Sequence, residues 1–80
     1  MDQLSEFIRK FKEQYADGDQ FEMQPSDAFR QVGSWDSLTE MAVLVMIQDE
    51  FGIVIPSEKF RELITLEEVF NYTINSNNGK

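Results

Sequence analysis

The run Gly-Ser-Trp-Asp-Ser-Leu at residues 33–38 holds a serine whose setting suggests chemistry. Ser37 stands between Asp36 and Leu38, where loop residues give way to a long apolar stretch. A serine hydroxyl is a weak nucleophile until a general base takes its proton. The chain lacks the usual base, because it has no histidine, and it has no cysteine either. A Ser-His-Asp or Cys-His arrangement is therefore impossible within it. So is a zinc site of the usual nitrogen and sulfur type. Asp17 and Asp19 begin like a calcium loop, but Ala28 stands at the twelfth position, where a bidentate Glu is needed. The residues argue against an enzyme and against a metal centre. Ser37 is left with two readings: a helix cap, or a hydroxyl with a purpose of its own.

The elements around it can be read from periodicity. Leu4, Phe7, Ile8, Phe11 and Tyr15 recur at helical spacing, which predicts an amphipathic helix over 2–16 with Asp2 as N-cap. Gly18 breaks it. Residues 17–36 form a connection longer than compact domains commonly use, and such loops are often functional. Phe21, Met23, Phe29 and Val32 can pin it to the core, with a short helical turn after Pro25. The second helix is predicted over 37–51 and stops at Gly52. Ser37 and Glu40 have capping-box spacing, with Asp36 a rival cap. Residues 53–56 form an extended connector closed by Pro56. Ser57 can cap a short third helix with Phe60 and Leu63 inward, and Thr65 and Glu68 form a further capping box. It opens a last helix to about Ile74, with Leu66, Val69, Phe70 and Ile74 as its stripe; residues 75–80 read as a frayed polar tail. The fold class is all-α: a four-helix bundle in one domain, three longer helices and a short third, with a long first loop.

The 80 residues carry 15 acids against 7 bases, a formal net charge of −8. That balance repels nucleic acid and anionic membranes and favours partners with basic patches. No apolar run approaches the roughly 20 residues of a spanning helix, and the N-terminus lacks the apolar centre of a signal peptide. The expectation is a soluble cytoplasmic monomer.

The second helix is apolar on too many sides. With Leu38 set to 0°, Val43, Leu44, Ile47 and Phe51 fall between about 140° and 240°, an arc that suits the core. Leu38, Met41, Ala42, Val45 and Met46 make a second arc, with Gln48 and Asp49 nearby. Either loop 17–36 covers this arc, or it is an exposed docking surface.

Trp-Asp-Ser-Leu at 35–38, Asp-Glu-Phe-Gly-Ile-Val-Ile-Pro at 49–56 and Leu-Ile-Thr-Leu-Glu-Glu-Val-Phe-Asn-Tyr at 63–72 follow one another in an order and spacing that resembles the acyl carrier protein family. The resemblance spans essentially the whole chain. It implies a 4′-phosphopantetheine arm on Ser37, taken from coenzyme A by a Mg²⁺-dependent phosphopantetheinyl transferase that also touches Asp36. The arm's thiol would hold acyl groups as thioesters, which supplies the nucleophile that the chain lacks. A helix start also suits the phosphodiester's charge. Trp35 reads as a loop anchor.

The resemblance makes the second helix the docking helix, for synthases, ligases and acyltransferases with basic or apolar patches. Leu38, Met41 and Val45 match the apolar contact positions, and Asp49 an acidic one. Thr39 and Ala42 stand where carriers of fatty-acid synthesis place acids, which points to a dedicated carrier rather than a general one. The resemblance also implies an acyl pocket at Phe29, Ile47, Ile55, Phe60, Leu63 and Val69. Large side chains at Phe60 and Val69 predict a small pocket and a short, polar or outside cargo. An aminoacyl or peptidyl carrier is an alternative, as is an unmodified helical adaptor that docks through the second helix.

Overall fold

A computed structural model describes residues 3–78, so the Asp2 cap lies outside the described residues. The described residues form four α-helices: α1 (Gln3–Lys12), α2 (Ser37–Phe51), α3 (Ser57–Glu62) and α4 (Leu66–Asn78). Short 3₁₀ turns at Gly18–Gln20 and Phe29–Gln31 interrupt the first loop. The arrangement is the all-α bundle with a short third helix that the periodicity predicts.

Phe7 and Phe11 are fully buried, as the α1 stripe requires. The Phe7 ring lies 5.4 Å from both Phe51 at the end of α2 and Phe70 on α4, so one side chain joins three helices. Outside the core, Lys10 pairs with Glu50 at 3.1 Å. Helix α1 ends earlier than its pattern suggests. Gln14 and Tyr15 donate to carbonyls three residues back, Phe11 and Lys12, which tightens the chain out of the α-helical register. Tyr15 is still buried, and its hydroxyl donates to the Phe29 carbonyl at 2.6 Å. Burial pushes that phenol's pKa far above its ordinary value.

The long loop is pinned as expected: Phe29 and Met23 are buried, Phe21 and Val32 half-buried. The helical turn expected directly after Pro25 is not there. Residues 24–27 close a turn, with Asp27 N–H donating to the Gln24 carbonyl at 3.0 Å. The carbonyls of Pro25 and Asp27 then accept from the Glu67 and Leu66 N–H groups at 2.9 and 3.2 Å. The loop thus satisfies donors that a helix start leaves free, and the turn at 24–27 is what brings its carbonyls there. Thr65 and Glu68 complete that start as a reciprocal box. The Glu68 carboxylate accepts from Ile64 and Thr65 N–H, and Thr65 Oγ1 accepts from Glu68 N–H.

Three further local expectations need correction. Asp36, not Ser37 with Glu40, caps α2. Ser57 does not cap α3; it is the first helical residue, behind Pro56, and no side chain caps that end. Helix α4 continues to Asn78, past Ile74. Gly52 ends α2 in the left-handed region, at φ 71°, where a glycine avoids the strain of a Cβ.

Candidate functional site

The site is built around the start of α2. Asp36 is extended, and its Oδ1 accepts from the Thr39 N–H at 2.8 Å and from the Thr39 hydroxyl at 2.9 Å. These bonds, the backbone N–H first, hold the Asp36 carboxyl below its ordinary pKa. Ser34 Oγ donates to Asp17 Oδ1 at 2.6 Å, which ties the end of the long loop to its beginning. The Trp35 ring stacks on Phe11 at 6.4 Å and meets Phe29 at 5.3 Å. Trp35 is thus an anchor, and it fixes where α2 begins. Ser37 follows as the first helical residue, exposed and outside the capping bonds. Its hydroxyl is free for solvent and sits at the positive end of the α2 dipole.

The outer face of α2 follows. Leu38, Met41 and Val45 are 76%, 63% and 53% exposed. They share one side of the helix, each three or four residues from the next. Asp49 is exposed one turn beyond Val45. Beside it a cleft of about 310 Å³ is lined by Gln14, Ala42, Val45, Met46, Asp49 and Glu50. Two residues of the expected surface do not belong to it. Thr39 is buried, with its hydroxyl bonded to the Asp36 cap, and Met46 is buried with the core. Ala42 is half-buried in the cleft wall.

Comparison with known proteins agrees with this geometry. Residues 4–73 match the family model for the phosphopantetheine attachment site. The acyl carrier protein of Rubrobacter xylanophilus is 31% identical over 72 residues, 86% of this chain and 89% of the relative. That of Thermobifida fusca is 35% identical over 51 residues, 64% of this chain and 65% of the relative. That of Myxococcus xanthus is 32% identical over 54 residues, 68% of each. No solved structure matches significantly. The chain belongs to the acyl carrier protein family.

Membership makes it a carrier rather than an enzyme, and implies a covalently attached 4′-phosphopantetheine. It also implies dealings with a phosphopantetheinyl transferase and with acyl-handling enzymes. Among the described residues, no helix of the carrier is long and apolar enough to cross a membrane.

The interior of the carrier is densely aromatic. Of the residues expected around an acyl pocket, Phe29, Ile47, Ile55, Phe60 and Val69 are buried and Leu63 is half-buried. Phe29 and Phe60 approach to 5.3 Å between ring centroids, and Trp35 stacks on Phe60 at 6.4 Å. These side chains fill one another's space.

Sequence reasoning missed Arg30. Its Nη1 donates to the Leu63 carbonyl and its Nη2 to the Phe60 carbonyl, both at 2.6 Å. The guanidinium also lies 4.6 Å from the Phe29 ring centroid and 5.1 Å from that of Phe60. The available signal was charge: Arg30 is the one base among residues 17–36.

Proposed function

We propose that this is a single-domain carrier whose arm is attached at Ser37, and that it delivers acyl intermediates to biosynthetic enzymes in the cytoplasm. The observation that carries the reading is Ser37 itself. It is exposed at a helix start, inside the span of the family match, and Asp36 does the capping in its place. Ser37 Oγ attacks the pantetheine-side phosphorus of coenzyme A's pyrophosphate, the P–O bond to adenosine 3′,5′-diphosphate breaks and that nucleotide leaves. The serine proton passes to the transferase, and the α2 dipole favours the phosphodiester's charge at Ser37. The bound arm supplies a thiol that holds cargo as a thioester. Asp36 holds the α2 start in place for the transferase, and Trp35 keeps the loop from folding over Ser37.

Partners dock on Leu38, Met41 and Val45, with Ala42 in the adjoining cleft and Asp49 as the acidic edge. Thr39 and Ala42 leave this face without acids two and five residues after Ser37. Each exposed ion pair is worth up to about 1 kcal/mol, so a partner relying on several such pairs grips this face weakly. The face suits dedicated partners that bind through apolar contact. The aromatic interior favours a short or polar cargo, or one held outside the bundle. An aminoacyl cargo satisfies the same observation, and loading assays with amino acids and fatty acids separate the two.

The test is intact mass. Apo protein, coenzyme A, Mg²⁺ and a broad transferase should add about 340 Da, localised to Ser37 and absent from Ser37→Ala, as covalent modification of one side chain requires. Wild type left unchanged refutes the attachment. An adaptor working unmodified would keep its function in Ser37→Ala. A carrier loses it there, and Met41→Glu weakens partner transfer while leaving the arm's attachment intact.

A further inference from the structure

We propose that Arg30 is a specificity-determining latch that closes the carrier's interior to a long acyl chain. The inference rests on the acyl-carrier reading with Ser37 as the attachment point. It starts from the weakness of α3. That helix has six residues and no side chain capping its start. A helix this short is marginal by itself, and its position depends on what holds it. Phe60 buries its ring against Phe29 and Trp35. Arg30 holds the other end: it adds a second donor to the Phe60 carbonyl, which also accepts from the Leu63 N–H at 3.1 Å, and it takes the Leu63 carbonyl just beyond the helix.

Arginine suits this task. Its planar fork reaches the Phe60 and Leu63 carbonyls together, while its face lies against the Phe29 and Phe60 rings. The cation is thus stitched into the aromatic group that occupies the expected pocket. A chain passing between α2 and α3 must part Phe60 from Phe29 and Trp35. It cannot do so without moving the α3 carbonyls that Arg30 grips. The latch is half-buried and sits in the loop, not in a helix core, so the bundle should fold without it.

The experiment loads wild type, Arg30→Met and Phe60→Leu from acetyl- and octanoyl-coenzyme A with a broad transferase. Intact mass confirms each product, and the melting temperature is read for each. Methionine keeps an apolar stem but has no donors. In wild type the octanoyl and acetyl forms should melt within about 1 °C of each other. In Arg30→Met the octanoyl form should melt at least about 4 °C above the acetyl form, the shift that a modest stability gain gives a domain of this size. A purely structural role for Arg30 would lower both forms together and leave their difference unchanged.

Phe60→Leu keeps the carbonyl that Arg30 grips but removes part of the aromatic filling, so its octanoyl–acetyl difference should rise by less than half as much as that of Arg30→Met. The proposal is overturned if octanoyl already stabilises wild type by that amount, or if Arg30→Met shows no larger difference than wild type. It is also overturned if Phe60→Leu alone gives the full gain, since the ring would then be the barrier. An Arg30→Met chain that fails to fold overturns it too, because a latch must be removable. Failure of wild type to load either group refutes the attachment reading beneath it, a result distinct from all of these.

Discussion

The two sides of α2 are made of the same kinds of residue and meet opposite fates. Val43 and Ile47 on the inner side are fully buried, while Leu38, Met41 and Val45 on the outer side are more than half exposed. Hydrophobicity alone does not separate them; the cover does. The long loop could have folded over the outer side, but its backbone is committed elsewhere. Pro25 and Asp27 accept from the first turn of α4, and Trp35 is stacked into the core. The outer face is bare because the chain that might cover it is pinned against another helix.

The sharpest way to break this contrast is to truncate one residue on each side. Ile47→Ala should cost roughly 2–5 kcal/mol, the usual range when a fully buried aliphatic side chain leaves a cavity. Val45→Ala should stay within about 0.5 kcal/mol, as surface changes do. Urea denaturation measures both. Similar costs would mean that the outer face is covered in solution.

Much of this division was legible in the sequence. The rotation of α2 separated Val43 and Ile47 from Leu38, Met41 and Val45, because a regular helix turns by a fixed angle. The Trp-Asp-Ser-Leu run placed the site and the helix start together. What periodicity could not resolve were competitions between neighbours. Asp36 and Ser37 both cap helices well, and only the extended backbone at Asp36 decides between them. Thr39 looked like a surface position until its hydroxyl turned to that cap. Arg30 stands out by charge, but its task was hidden for a different reason. Its partners are carbonyls 30 and 33 residues away, and backbone acceptors leave no mark in side-chain patterns.

A second pair of substitutions sharpens the contrast within the loop. Gly18 is buried where the chain leaves α1, and an added Cβ would overlap the Lys12 carbonyl oxygen. Gly33, four residues before Ser37, has nothing within 4 Å of such a Cβ. Gly18→Ala should therefore destabilise by about 1–3 kcal/mol, the ordinary cost of overpacking. It also strains the turn that presents Asp17 to Ser34. Gly33→Ala should be close to neutral. Denaturation midpoints compare the two. A neutral Gly18→Ala would show that the loop yields easily, and that it is not what holds the outer face of α2 open.

The smallest effect expected concerns the α2 start itself, where the closed and open sides meet. The Asp36 carboxyl is held below its ordinary pKa by the Thr39 N–H and hydroxyl, and Glu68 is held low by the Ile64 and Thr65 N–H groups. A carboxyl depressed in the folded state binds its proton more readily when unfolded. Its contribution is therefore complete above the unfolded value, near 4, and is lost as pH falls through the lower folded value. Asp36→Asn keeps an oxygen for the Thr39 N–H but removes the charge that favours the helix start. At neutral pH the variant should melt slightly below wild type. As pH falls below the unfolded value and through the lower folded one, that gap should close, because wild type loses the same charge by protonation. Glu68 leaves both proteins with a residual acid slope. A gap that stays constant across the acid range would mean that Asp36 caps through geometry alone, and that its charge does nothing for the helix on which Ser37 is displayed.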